Sequence, residues 1–116
     1  MINIVFTTSR GHYKALKVTG HAYSDEPGKD LVCAAVSTLA QTLVNAVEQI
    51  GKVPEDQIQC TIDNGYLELV IDERYLNDTI DIAFKTIMIG IEGIEMTYPK
   101  YVKHRNKEVH GNVENV

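Results

Sequence analysis

A histidine and a cysteine, each placed where the local pattern of the chain changes, are the residues best suited to chemistry. His21 follows a predicted strand in Gly20-His21-Ala22, and Cys33 falls twelve residues later in the first turn of a predicted helix. Amides at a helix start lack carbonyl partners, and their partial positive charge favours a thiolate over a thiol. If the intervening loop folds back, the imidazole and the sulfur form a general base and a nucleophile.

Two further side chains could support this pair. Asp30 comes directly before the predicted helix, so we assign its carboxylate to capping the helix rather than to orienting His21. Ser37 lies one helical turn beyond Cys33 on the same side, where it could hydrogen-bond a substrate group or steady the histidine. The unpartnered amides of the helix start could hold an oxyanion.

Each of these residues also has an ordinary structural interpretation. Cys33 could be a small buried hydrophobe, His21 a turn residue and Ser37 a helix-surface hydroxyl. Cys60 alternates with isoleucines, which predicts a structural thiol on the core face of a strand. A redox function is less well supported, because the sequence has no C-x-x-C motif and Cys60 is the only other cysteine.

The remaining histidines do not converge on the pair. His12 begins the predicted strand that His21 follows, so an extended chain places the two histidines roughly 30 Å apart at about 3.3 Å per residue. His104 and His110 fall in a polar segment, and no spacing of His, Cys and carboxylates resembles a zinc site. There is no phosphate-binding glycine loop either. We therefore expect no metal and no cofactor.

Composition limits the class of protein. The chain has 116 residues, 44% of them hydrophobic, which fits one domain with its own core. Its net charge of -5 argues against a binder that works by neutralising phosphates, so we expect no direct nucleic-acid partner. Without a signal peptide or a long apolar run, we expect a reduced, cytoplasmic protein with no membrane partner. That compartment favours two free thiols over a Cys33–Cys60 disulfide.

Hydrophobic periodicity predicts the elements that would position these residues. Strands are expected over about Ile2–Thr8 and His12–Thr19, and a helix from Leu31 to Ile50. A β-hairpin should follow around Asn64-Gly65, a pair typical of a type I′ turn.

A second helix is expected to begin after Asn77 as its N-cap and to weaken towards Gly90 and Gly93. Met96–Val102 is predicted as a closing edge strand because Pro99 cannot donate to a ladder, and residues 103–116 as a loose polar tail. The predicted class is α+β in two layers, with an antiparallel sheet of four to five strands and two helices in the order ββαββα(β). Residues 1–102 would form the single domain.

The motifs Gly20-His21-Ala22 and Asp30-Leu31-Val32-Cys33-Ala34-Ala35-Val36-Ser37, at this spacing, resemble those of the ribosomal-processing cysteine protease family, Prp. The resemblance implies a cytoplasmic bacterial endopeptidase. Its substrate would be one ribosomal protein, large-subunit protein twenty-seven. The enzyme would remove a short N-terminal extension of that protein, which ends in a hydrophobic, aromatic-containing sequence. A non-catalytic, ribosome-associated binding module is the alternative.

The same resemblance assigns roles by position. His21 would be the general base and Cys33 the nucleophile, with Asp30 and Ser37 in supporting positions. The resemblance also implies a homodimer with a mobile loop over the site. Here that loop would run from Ala22 to Lys29 and include Gly28, which suits a segment that changes shape on peptide binding.

Overall fold

The computed structural model describes residues 1–21 and 29–109. Within those ranges the chain forms five strands and two α-helices: β1 Ile2–Ser9, β2 His12–Thr19, α1 Lys29–Gln49, β3 Ile58–Asp63, β4 Tyr66–Ile71, α2 Asp78–Thr97 and β5 Val102–Val109. The α+β class and the order ββαββαβ are confirmed. The side chain of Asn77 accepts a hydrogen bond from the Ile80 amide at 3.0 Å, so Asn77 is the N-cap of α2.

One five-stranded sheet runs in the order β3-β4-β2-β1-β5. Its neighbours are antiparallel except β5, which pairs parallel with β1 along its whole length. The prediction of a loose tail from Lys103 is therefore wrong up to Val109, and residues 110–116, including His110, lie outside the described part. The sequence did not predict β5 because its residues are mostly polar. An edge strand with one open face needs few apolar residues.

The predicted closing strand Met96–Val102 is also wrong over most of its length. Met96 and Thr97 belong to α2, which continues through Gly90 and Gly93. Each interior glycine costs a helix about 1 kcal/mol, and packing can outweigh that cost. A Cβ on Gly90 would lie 2.9 Å from Cδ1 of Leu39, so this glycine lets α2 approach α1 closely.

Two-residue turns close both hairpins. The type I′ turn lies between β1 and β2, and not between β3 and β4, where the sequence predicted it. Arg10 and Gly11 have φ of 54° and 82°, the positive values of a type I′ turn, between the paired Ser9 and His12. The hairpin at Asn64-Gly65 is confirmed, but of these two residues only Gly65 has a positive φ, 72°. Its turn is therefore not type I′. The Asp63 carboxylate accepts a hydrogen bond from the Asn64 amide at 2.7 Å, a local contact that competes with the I′ geometry.

Both helices pack on one face of the sheet and bury the core there. The inward residues of the strands and the apolar stripes of the helices are buried: Ile2, Ile4, Phe6, Leu16, Leu67, Leu69, Ile71 and Val102 from the sheet, Val32, Val36, Ala40, Leu43 and Val47 from α1, and Ile80, Phe84, Ile87, Met88 and Ile91 from α2. This is the two-layer arrangement that two amphipathic helices and a sheet require.

The outer side of α1 is unusually free of charge. Leu31–Gln49 is long and apolar enough to cross a membrane by length and composition, and Glu48 is its only charged residue. This stretch departs from the expectation that the chain has no long apolar run. Its inner stripe, from Val32 to Val47, fills the core of the domain, which is the placement of a core helix.

Candidate active site

The backbone around His21 is held at the end of the sheet by contacts from two sides. The Gly20 amide donates to the Gly65 carbonyl at 3.0 Å, and the N-terminal ammonium of Met1 donates to the His21 carbonyl at 2.9 Å. Gly20 has φ of 93°, and a Cβ there would lie 2.3 Å from the Met1 carbonyl oxygen. A glycine is thus required at the bend that delivers His21.

The imidazole of His21 lies against Gly65 in the β3–β4 turn. A Cβ on Gly65 would lie 2.2 Å from Nε2 and 2.7 Å from Cδ2 of the ring. The turn therefore forms a wall that defines where the imidazole can sit. Sequence analysis identified Gly65 as a turn residue only, because the spacing along a chain cannot show a contact between distant segments.

Cys33 reaches the same cavity from α1. The cavity has a volume of about 180 Å³ and a mainly apolar wall, lined by Ile2, Val18, Gly20, His21, Cys33, Val36, Ser37, Ala40, Gln41, Ile62, Asp63, Gly65, Tyr66 and Leu67. Cys33 is a partly exposed free thiol. Cys33 lies one turn into α1, and helical side chains in general lean towards the helix N-terminus, where the first amides lack intrahelical partners.

The start of α1 corrects two predictions. The helix begins at Lys29, so Asp30 lies inside the first turn and not at the N-cap, and Cys33 is the fifth helical residue and not part of the first turn. An acidic residue in the first turn is also stabilised by the helix dipole, which is why the sequence alone did not separate the two placements. The Asp30 side chain lies outside what the structure describes, and so do Ala22 and Gly28 of the predicted substrate loop.

Ser37 lines the cavity with a partner that sequence analysis missed. Nε2 of Gln41 donates to Oγ of Ser37 at 3.0 Å, and both residues line the cavity. Cys33, Ser37 and Gln41 are spaced i, i+4 and i+8, which puts them on one stripe. That spacing is the signal in the sequence that would have found Gln41.

Cys60 is exposed, contrary to the prediction of a buried structural thiol. It pairs directly with the buried Leu69, so the predicted face is right. The predicted burial of Cys60 is wrong because β3 is an edge strand of the sheet, and its last five residues are exposed. Desolvation by the neighbouring atoms raises the pKa of the Cys60 thiol. Both cysteines are free.

The other described histidines are bound to carboxylates away from the cavity. His12 Nδ1 lies 2.7 Å from Asp81 Oδ2 at the far end of β2, and His104 Nδ1 lies 2.6 Å from Glu95 Oε1. His12, Asp78 and Asp81 place ligand-type atoms within 4.8 Å of one another. Asp81 already accepts hydrogen bonds from the Tyr13 amide and His12, which makes this cluster a satisfied polar network.

A larger depression, of about 580 Å³, lies among ion pairs elsewhere on the sheet. Lys14 pairs there with Glu73 at 3.4 Å and Arg74 with Asp72 at 3.0 Å. These charges are committed to one another, and neither cysteine lines the depression. We therefore place the candidate active site in the smaller cavity between α1, the end of β2 and the β3–β4 turn.

Comparison with known proteins decides the class of enzyme. The family model of the cysteine protease Prp matches residues 1–103. The chain belongs to the cysteine protease Prp family. This Prp family member is therefore a cysteine protease, and the alternative of a non-catalytic binding module is not supported. No curated protein matches the sequence.

Solved structures agree with the Prp assignment. SMU.848 from Streptococcus mutans is 30% identical, covers 94% of this chain and 96% of its own, and superposes with a TM-score of 0.75. The ribosomal processing protease Prp from S. aureus, in complex with a substrate peptide, is 25% identical over 92% of this chain and 100% of its own, with a TM-score of 0.75. The same protease with a covalently linked product peptide, at 24% identity and a TM-score of 0.74, shows the shared fold.

Proposed function

We propose that this Prp family protease cleaves peptide bonds with Cys33 as the nucleophile and His21 as the general base. The observation that carries the proposal is the shared cavity, which joins a thiol from α1 and an imidazole from the end of β2. The wall of the cavity is mainly apolar and the Cys33 thiol is partly exposed, as a nucleophile that attacks a peptide must be. Cys60 is the weaker candidate because it does not line the cavity that holds His21.

The proposed reaction proceeds through a thioester. The Cys33 sulfur attacks the scissile carbonyl carbon as its proton passes to His21, and unpartnered amides in the first turn of α1 hold the oxyanion. The C–N bond then breaks, and His21 gives the proton to the leaving amine. A water molecule, deprotonated by His21, attacks the thioester carbonyl. The carboxylic acid leaves and the Cys33 thiol is restored.

As substrate we propose the N-terminal extension of the ribosomal large-subunit protein twenty-seven, with the cut after a hydrophobic, aromatic-containing sequence. Support comes from the S. aureus relative, a ribosomal processing protease bound to a substrate peptide. Support also comes from the apolar surface at the cavity. Ile62 lines it and is 59% exposed. Exposed apolar surface of this kind binds aromatic side chains.

We further propose that the protein is a cytoplasmic homodimer. The free thiols at Cys33 and Cys60 suit a reducing compartment. On α2, Ile82, Ile89 and Met96 are exposed at 65%, 69% and 83%, and they recur every seven residues. A heptad spacing gathers these exposed side chains on one stripe of the helix. A second copy covering this helical face would remove that apolar surface from water.

The proposed catalytic pair is tested by cleavage of a peptide that spans the extension and its cut site. Cys33→Ser and His21→Ala should keep their circular dichroism spectra and lose roughly 10³-fold or more in kcat/KM, as expected when a nucleophile or base is removed. Cys60→Ser is the matched control and should cleave at the wild-type rate. Cleavage by Cys33→Ala within a few-fold of wild type would overturn the proposal.

A further inference from the structure

The side of the sheet away from the helices, which we call the open face, concentrates positive charge. Lys17 on β2 and Lys103, Arg105 and Lys107 on β5 are exposed there, four of the 11 Lys and Arg residues in the chain. A groove of about 530 Å³ runs across this face, lined by Asn3, Val5, Thr7, Ala15, Lys17, Thr19, Glu68, Arg105 and Lys107.

Strand register fixes how these side chains are arranged. The outward residues of β1, Asn3, Val5 and Thr7, pair in order with Lys103, Arg105 and Lys107 on β5, and with Thr19, Lys17 and Ala15 on β2. The three cations on β5 are thus successive side chains of one face, about 6.6 Å apart at roughly 3.3 Å per residue. Beside this row, β1 contributes the amide of Asn3 and the hydroxyl of Thr7, with the apolar Val5 between them.

Little on the protein neutralises this row. Within the described residues, Lys103, Arg105 and Lys107 form no ion pair. The ammonium of Lys17 lies over the Tyr66 ring, 5.6 Å from its centroid. Glu68, the carboxylate that lines the groove, accepts the Tyr66 hydroxyl at 3.0 Å. The β5 row is therefore an exposed cationic strip on a protein whose net charge is -5.

We propose that the open face binds the phosphate backbone of RNA. A row of exposed Lys and Arg beside hydroxyl and amide donors suits phosphate oxygens. Tyr66 is covered by Lys17, and the described residues that line the groove include no aromatic side chain on which bases could stack, so the contact would not depend on base sequence. The choice of RNA over another polyanion rests on the proposed function, since a ribosomal protein substrate is found beside RNA.

A second copy of the chain does not suit this face. Two-fold pairing would place each copy's cationic strip against the same surface of the other, which brings like charges together. The inference departs from the expectation of no nucleic-acid partner, which came from net charge. Net charge averages over the whole surface, whereas phosphate binding depends on local clustering. Arg105 and Lys107 also lie beyond residue 103, where the family match ends.

The test uses a fluorescein-labelled oligouridylate of twelve nucleotides and fluorescence anisotropy at several KCl concentrations. If four phosphates are neutralised, log K should fall with log[KCl] at a slope of about -2.8, or roughly 50-fold between 50 and 200 mM. Arg105→Gln with Lys107→Gln should bind at least about tenfold more weakly at 50 mM and reduce the slope to about -1.4.

Lys52→Gln with Lys85→Gln is the matched control. It makes the same change in net charge at exposed residues outside the open face, and should bind within about twofold of wild type. The proposal is overturned by no saturable RNA binding at 50 mM KCl or by an equal loss in the control. Binding of a glutamate dodecapeptide or phosphatidylserine vesicles as tightly as RNA would likewise overturn it, in favour of an acidic protein or a membrane.

The same variants separate this inference from the proposed function. Arg105 and Lys107 do not line the cavity that holds Cys33. Arg105→Gln with Lys107→Gln should therefore cleave a short free peptide at the wild-type rate. Failure of the wild type to cleave that peptide would contradict the protease proposal, whatever the RNA titration shows.

Discussion

At the scale of single residues, the position of the His21 ring depends on the missing side chain of Gly65. Gly65→Ala should displace the imidazole, because the added Cβ would lie 2.2 Å from Nε2. Displacing a base by about 1 Å can cost roughly 100-fold in rate. The positive φ of 72° adds a backbone cost of about 1–2 kcal/mol. Peptide cleavage and urea unfolding of the same variant measure the two effects.

Gly11→Ala is the control for Gly65→Ala, because it introduces the backbone strain without displacing the His21 imidazole. Gly11 has a similar φ of 82°, and a Cβ there would meet no atom within 4 Å. We expect the same loss of stability as in Gly65→Ala and wild-type cleavage. Equal activity in the two variants would show that Gly65 does not position His21.

Residue types and spacing led to His21, Cys33 and Ser37 because these depend on local pattern: a strand end, a helix start and one helical turn. The contact of Gly65 with His21 could not be predicted this way, since it depends on how β4 pairs with β2. Gln41 could have been predicted, because its spacing from Ser37 is helical. The supporting role of Asp30 remains a prediction.

At the scale of elements, β5 is fastened to α2 through His104. The Glu95 carboxylate accepts hydrogen bonds from the His104 amide at 2.8 Å and from its Nδ1 at 2.6 Å. These bonds lower the pKa of Glu95, so the folded state favours its ionised form. The stabilisation is present above the pKa of the unfolded chain, about 4.3, and is lost as pH falls through the lower folded value.

Glu95→Gln should therefore reduce the free energy of unfolding by about 1 kcal/mol at pH 7, the value expected for a partly exposed charged hydrogen bond. The difference from wild type should shrink as pH is lowered below about 4. Urea titrations across this range measure it. Glu92→Gln is the control, since Glu92 is 52% exposed and lies 3.7 Å from His104 Nε2. If Glu92→Gln reduces the free energy of unfolding as much as Glu95→Gln does, the hydrogen bonds between Glu95 and His104 are not what links β5 to α2.

Helices and hairpins were largely predictable, whereas β5 was not. The stripe of α1 and the alternation around Asn64-Gly65 are periodic signals that apolar residues carry directly. In β5, Val102 is fully buried, and the residues that follow it on the same face are the polar His104, Asn106 and Glu108. This strand is specified by its pairing with the edge of β1 and by the hydrogen bonds between His104 and Glu95. Neither can be read as a pattern within residues 102–109.

At the scale of the whole molecule, the two layers present different surfaces. The helical layer exposes the apolar stripe of α2, the sheet exposes cations, and the Cys33 cavity opens between α1 and the β3–β4 turn. In the proposed homodimer the helical faces meet, which leaves both open faces in solvent. One copy could then hold RNA while its cavity holds a peptide.

Ile89→Asn tests where the second copy binds. Sedimentation equilibrium should give the mass of two chains for wild type, and the variant should raise the dissociation constant at least about tenfold, because both copies lose a buried apolar side chain. Ile50→Asn is the control, with a 66% exposed isoleucine beyond the end of α1. A monomeric wild type, or an unchanged dimer in Ile89→Asn, would contradict this interface.

The central claim is that the Cys33 sulfur forms a covalent bond with the peptide it cuts. Acid quenching of a reaction with the extension peptide, followed by proteolysis and mass spectrometry, measures this directly. We predict a thioester between the N-terminal product and Cys33, absent from Cys33→Ser and unchanged in Cys60→Ser. An adduct on Cys60 alone, or full cleavage by Cys33→Ser, would contradict the account.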